Sequence, residues 1–193
     1  MANTNHIAGA QKCRLDDSTL IVIDIQQRLG DAMPGKVLNR VLQNTSLLSR
    51  AASLLGVPVM QTEQYPQGLG VTHPLVVDAL PPSRKYFAKT AFSCMNADGF
   101  PAAIAGLQRR QAVLVGMEAH ICVLQTALDL AATGAEVFVV EDAICSRRLE
   151  NYQNALDRMR ASDVNIVSAE SVVFEWMGDS RHDHFKVIQG WLR

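Results

Sequence analysis

AVLVGMEAHICVLQTALDLA, residues 112–131, decides the fold. A short apolar run ends at Gly116, four residues turn the chain, and Cys122 then falls in the first turn of an amphipathic helix. A thiol there feels unpaired backbone N–H groups and the positive end of the helix dipole, which favour thiolate over thiol. A residue between a strand and a helix also stands above the sheet edge, where a substrate can reach it. The alternative is a small buried hydrophobe, the usual state of a free cysteine.

Outward from this unit, apolar runs alternate with helical patterns along the whole chain. TLIVIDI (19–25), VPVMQT (57–62), KYFAK (85–89), the 112–116 run, EVFVVED (136–142) and NIVSA (165–169) read as six strands. Helical spacing is expected at 37–55, 98–108, 119–133, 149–161, 170–177 and 181–192, with a short helix at 74–79 and a Pro/Gly-rich loop from Tyr65 to His73. Such alternation implies a parallel sheet covered by helices on both faces. The expected architecture is a single-domain three-layer α/β/α sandwich with a six-stranded parallel sheet in the Rossmann-like order 3-2-1-4-5-6. Residues 16–193 form the domain. The preceding MANTNHIAGAQKCRL (1–15) reads as a loose tail lacking the features of a secretory or transit signal.

Composition narrows the function. Lys+Arg number 18 and Asp+Glu 19, a net charge of −1, so no overall field draws the chain to nucleic acid or to a membrane surface. Aromatic residues are only 6%, which disfavours a base-stacking surface. No apolar run approaches the roughly 18 residues of a membrane span. Cys13, Cys94, Cys122 and Cys145 are widely spaced without a CxxC pair, as expected of reduced thiols in the cytoplasm, with a mitochondrial address left open.

In an open α/β sheet, ligands bind beyond the carboxyl ends of the strands. Asp24, Lys89 and Cys122 fall at the ends of strands one, three and four. A carboxylate inside an apolar run is costly unless it has a partner or a task. Each residue alone has a bland reading as a cap, a solvated cation or a buried thiol.

These motifs carry a resemblance. LIVIDIQ with Asp24, TEQYPQGLG (62–70), FAKTAFS (87–93) with Lys89, GMEAHICV (116–123) with Cys122, DAICSR (142–147) and the tail GDSRHDHFKVIQ (178–189) are similar to the isochorismatase-like hydrolase superfamily, nearest to its isochorismatase-domain-containing subgroup. The resemblance implies a Cys-Asp-Lys triad of Cys122, Asp24 and Lys89. It also implies a cis peptide at Met117–Glu118 and an oxyanion hole from the backbone N–H groups of Glu118 and Cys122. Family nicotinamidases bind a metal through an Asp-x-His pattern that the stretch TEQYPQGLGVTH lacks, and His73 alone supplies no metal site. Neither a catalytic metal nor a cofactor is therefore expected. Isochorismatases themselves lack the cysteine, which leaves a thiol-dependent hydrolase of a small amide or related C–N or carbonyl substrate.

Gln26, Thr62 and Gln64 neighbour strand ends and are candidate substrate-binding groups, with Phe92 as an apolar wall and His120 as a turn support or pocket lining. Cys94 follows the FAKTAFS motif and reads as a packed thiol or a neighbour of the pocket; Cys145 has the same two readings. Arg147 and Arg148 are anion-binding candidates or solvated loop residues, and the 181–184 run reads as a polar helix start. Val173, Phe174, Trp176 and Trp191 suit either core packing or an interface, and family members commonly assemble as dimers, tetramers or larger homo-oligomers. A small-molecule substrate is the expected partner. The competing reading is a catalytically vestigial scaffold of the same fold, with RNA processing or RNA binding a third.

Overall fold

The computed structural model describes residues 11–192. Six strands, β1 (Ser18–Ile23), β2 (Val59–Gln64), β3 (Lys85–Lys89), β4 (Gln111–Met117), β5 (Glu136–Cys145) and β6 (Asn165–Val167), form one parallel sheet in the order β3-β2-β1-β4-β5-β6. Side chains alternate across a strand, so a sheet covered on both faces needs near-continuous apolar strands. Leu20 and Val22 of β1 join Val113, Val115, Phe138 and Val140 on one face, under the helices Gly35–Leu55, Ala169–Met177 and Phe185–Trp191. Ile21 and Ile23 join Leu114, Val137 and Val139 on the other, under Phe100–Ala105, Leu124–Ala132 and Leu149–Arg160. The expected three-layer sandwich and strand order are both present.

The topological switch lies between β1 and β4, whose connections leave in opposite directions. Ile23 pairs with Gly116 there. A Cβ on Gly116 would lie 1.9 Å from the Ile23 carbonyl oxygen, and its φ is 131°, so only glycine lets the two strand ends approach this closely.

Several boundaries differ from the sequence reading for identifiable reasons. The first strand stops at Ile23, because Asp24 turns out of it with φ 52°, a left-handed conformation that Asp tolerates better than most residues. The expected helix 119–133 is instead a π-helical turn, Ala119–Val123, followed by Leu124–Ala132. Strand β5 runs on to Cys145 because its register against β4 shifts: Leu114 pairs with Val139, but Gly116 pairs with Ile144. Strand β6 ends at Val167, since the Ser168 hydroxyl accepts from the Ser171 N–H and caps the next helix. The helix expected over 98–108 is shortened to Phe100–Ala105, and a short helix at Gln27–Asp31 had no sequence signal.

Residues 1–10 of the expected tail lie outside the described residues. Residues 11–15 are not loose: Cys13 is buried, its N–H donates to Glu175 at 2.6 Å, and the Arg14 N–H donates to Gln111 Oε1 at 2.6 Å. Val173 and Trp176 are core residues, the latter donating from Nε1 to Ser18 Oγ at 3.0 Å. Trp191 is half-buried with the Arg50 guanidinium 5.2 Å from its ring. Phe174 remains partly exposed beside Phe185. Among the described residues no helix is long and apolar enough to cross a membrane.

Candidate active site

The three strand-end residues meet. Lys89 Nζ lies 2.6 Å from Asp24 Oδ2, and both side chains are fully buried. Cys122, 5% exposed, stands against this pair closely enough to feel the charge of the Asp24 carboxylate and of the Lys89 ammonium. A buried ion pair survives only where further hydrogen bonds satisfy both partners. Here they do. Lys89 Nζ also donates to Gln64 Oε1 at 2.7 Å, to the Phe92 carbonyl at 3.0 Å and to the Ala91 carbonyl at 3.3 Å. Asp24 Oδ1 accepts from Thr62 Oγ1 at 2.7 Å, and the Asp24 N–H donates to the Thr62 carbonyl at 3.2 Å.

Behind Lys89 two glutamines interlock. Gln26 Oε1 accepts from the Gln64 N–H at 2.7 Å, while Gln26 Nε2 donates to the Gln64 carbonyl at 3.0 Å and the Gly70 carbonyl at 2.6 Å. Gln64 Nε2 donates to the Thr90 carbonyl at 2.6 Å. Gln26, Thr62 and Gln64, the candidate substrate groups, thus border the ion pair with their polar atoms engaged inside the protein. Gln26 also bridges Thr72, which ties the 65–73 loop to the site. On the other side of β2, the buried Glu63 carboxylate accepts from the Thr72 N–H (2.6 Å), the Thr72 hydroxyl (2.7 Å) and the Tyr86 hydroxyl (2.8 Å). Nothing in the sequence marked this second anchor of the loop.

The turn before Cys122 contains a cis peptide at Met117–Glu118. The shifted register of β5 brings Ser146 and Arg147 alongside it. Glu118 Oε2 accepts from the Arg147 N–H at 2.9 Å and lies 3.7 Å from Arg147 Nε. His120 Nδ1 is 2.9 Å from Ser146 Oγ, and its Nε2 is 3.2 Å from Asn151 Nδ2. The imidazole is therefore a brace between the turn and the Leu149–Arg160 helix. Phe92 is 52% exposed beside the site, as a wall facing solvent rather than a core residue. Cys94 is buried with Sγ 3.8 Å from Thr62 Oγ1, and its N–H donates to Thr126 Oγ1 at 3.0 Å, one helical turn beyond Cys122. Cys145 is buried near Glu118.

Electrostatics correct one expectation. Burial pushes the Cys122 thiol well above its ordinary range, the Asp24 carboxylate pushes the same way, and the Lys89 ammonium offsets them only in part. The surroundings thus favour the neutral thiol over the thiolate that a helix start alone would favour. For Lys89, burial works against the charge, but the Asp24 carboxylate beside it outweighs burial and raises its pKa. Cys94 is raised to about 11 by burial and then by Asp24.

Among the described residues no group of three His, Cys, Asp or Glu side chains is arranged to hold a metal ion. His73 Nδ1 accepts from the Leu75 N–H at 3.3 Å as a helix cap, and Arg181 pairs with Asp179 at the surface. The 770 Å³ groove between the Gly35–Leu55 helix and the C-terminal helices is lined by Asn39, Arg50, Asp78, Asp142 and Trp191, and by none of Asp24, Lys89 and Cys122.

Comparison with known proteins follows the same lines. The family model described as Isochorismatase domain matches residues 18–171. Isochorismatase domain-containing protein 1 of Salmo salar is 37% identical over 172 residues, 88% of this chain and 59% of that protein, so the chain spans about three fifths of that relative's length. The MAR1 ribonuclease of Caenorhabditis elegans superposes with a TM-score of 0.87 at 32% identity, covering 94% of this chain and 92% of that one. The YcaC gene product of Escherichia coli, an octameric hydrolase of unknown specificity, superposes at 0.82 with 22% identity, covering 95% and 96%, a likeness of fold.

Proposed function

Because the chain belongs to the isochorismatase family, we propose that it is a cysteine-dependent hydrolase of a small amide or related carbonyl compound. The observation that carries this reading is the sealed Asp24–Lys89 pair, 2.6 Å apart, set against the Cys122 thiol. Cys122 Sγ attacks the carbonyl carbon while its proton passes to Asp24, the general base. With the proton on Asp24, the Lys89 ammonium balances the negative charge that passes from sulfur to the carbonyl oxygen. The tetrahedral oxyanion rests on the backbone N–H groups of Glu118 and Cys122. Collapse breaks the C–N bond, and Asp24 returns the proton to the leaving amine. Water then attacks the thioester, giving its proton to Asp24; expulsion of the thiolate and its reprotonation restore the thiol.

Thr62, Gln64 and Gln26 position this machinery rather than bind substrate: Thr62 fixes Asp24, Gln64 fixes Lys89, and Gln26 fixes Gln64. The four free cysteines suit a reducing compartment, the cytoplasm or the mitochondrial interior, and a homo-oligomer is the assembly we expect.

Cys122→Ala, screened beside the wild type against small amides, ureas and hydroxamates, should fold normally and turn over nothing. Undiminished activity in that variant rejects the mechanism. A second reading, ribonuclease activity, is favoured by the 32% identity to the Caenorhabditis elegans MAR1 ribonuclease. Its sign would be RNA cleavage by the wild type that Cys122→Ala abolishes.

A further inference from the structure

Granting the Cys122 mechanism, we propose that its substrate is uncharged, and that the site rejects molecules carrying a carboxylate or phosphate. The charges set against the thiol cancel in one closed pair, Asp24 with Lys89, and the turn that precedes Cys122 carries a second, Glu118 with Arg147. Neither pair leaves a cation for an anionic ligand. The Lys89 ammonium has three hydrogens and four oxygen acceptors within 3.3 Å, so no N–H is left to turn toward a substrate. The Gln26 and Gln64 amides, the Thr62 hydroxyl and both His120 nitrogens are engaged within the protein. The buried carboxylate of β2, Glu63, and the Arg84 that bonds Gln61 belong to the opposite face of the sheet, since Glu63 and Gln61 alternate with Thr62 and Gln64.

An anion entering here would lose its hydration, gain no counterion and face the Asp24 carboxylate, an arrangement that strongly disfavours buried charge. The start of the helical segment at Ala119 offers backbone N–H groups, which suit a negative charge that develops only in the transition state. What remains for ground-state recognition is apolar surface such as the exposed Phe92 ring, together with backbone groups. Arg147, whose side chain is 55% exposed, and the exposed Arg148 beside it follow the strand that flanks this turn, and they are the residues that would contradict the proposal by swinging to an anion.

Two alkylating reagents of nearly the same size separate the cases. Reduced wild-type protein is treated with iodoacetamide or with iodoacetate, and the rate at Cys122 is followed by peptide mass spectrometry. The same rates measured on the urea-unfolded chain set the intrinsic ratio of the two reagents. In the folded protein the preference for iodoacetamide should exceed the intrinsic ratio by about tenfold or more, the scale of a like-charge contact in a poorly solvated site. It should persist at high salt, because buried charges are screened little. Arg147→Ala should not reduce it, since that change leaves the Glu118 carboxylate without its cation. A ratio no larger than that of the unfolded chain overturns the proposal, as does iodoacetate labelling that is lost in Arg147→Ala. If Cys122 labels with neither reagent in the folded protein but with both once unfolded, the nucleophile itself fails, and this inference falls with it.

Discussion

Asp24→Asn removes one charge from the site while keeping an oxygen for Lys89 and a polar group for Thr62. Its effects on stability and on sulfur reactivity run in opposite directions. Breaking a buried ion pair by neutralising one partner costs about 3–5 kcal/mol. Lys89 would keep the Gln64, Ala91 and Phe92 oxygens, so the loss should fall near the lower end, about 3 kcal/mol, measured by urea denaturation. The thiol, by contrast, loses the carboxylate that opposes its ionisation and keeps the ammonium that favours it. A unit charge at about 5 Å in a medium of effective dielectric about 20 is worth about 3 kcal/mol. That corresponds to about a hundredfold more thiolate at a fixed pH below both thiol pKa values. Iodoacetamide should therefore modify Cys122 faster in Asp24→Asn than in the wild type, even though turnover disappears with the base. Slower or unchanged alkylation, with the variant folded by circular dichroism, would refute the electrostatic account of the resting thiol.

The other predictions concern the scaffold. All four thiols have raised pKa values, led by burial, with Cys94 at about 11 and Cys145 at about 12 against an ordinary 9.0. The unfolded chain releases these protons near pH 9.0 while the folded chain retains them, so their stabilisation is complete below pH 9.0 and is lost as pH rises toward 11 and 12. Each thiol contributes up to about 1.4 kcal/mol per pH unit, and urea midpoints that stay flat above pH 9.0 would contradict this. Gly116→Ala should destabilise by at least about 3 kcal/mol and abolish activity, since the new methyl meets the Ile23 carbonyl; a stable, active variant would disprove the close approach. Gln64→Leu should cost about 2–3 kcal/mol by leaving Lys89 and the Thr90 carbonyl short of partners, whereas a purely substrate-facing Gln64 would leave the urea midpoint alone. Tyr86→Phe should cost about 1 kcal/mol through Glu63 while sparing Cys122 alkylation.

The layered fold was legible because both-face burial writes itself into sequence as apolar runs such as LIVI at 20–23, bounded by helical periodicity. The meeting of Asp24, Lys89 and Cys122 was legible too, as each chemically active residue follows a strand in a fold that gathers strand ends. Long-range hydrogen bonding was not. Gln26 and Gln64 are 38 positions apart, and no local pattern says that their amides face each other rather than a ligand. The five-residue advance of β5 against two of β4, which delivers Ser146 and Arg147 to the turn, depends on register and leaves no periodic trace. The ionisation of Cys122 is illegible in the sequence for a related reason. Helix position can be read from the chain, but desolvation depends on what the rest of the chain packs above it. Cys13 shows the same gap, since tertiary contacts with Glu175 and Gln111 explain why residues 11–15 are pinned.

Lys89 ends an edge strand, and edge strands ordinarily fray, with their amide hydrogens exchanging through small local openings. Here the ammonium fastens that margin to the segment after β1 and to the end of β2, so peeling β3 away would strand a dehydrated carboxylate. Deuterium uptake along residues 85–89 should consequently be as slow as that of the central strands. The outermost strand breathes only when the buried Asp24–Lys89 pair comes apart with it.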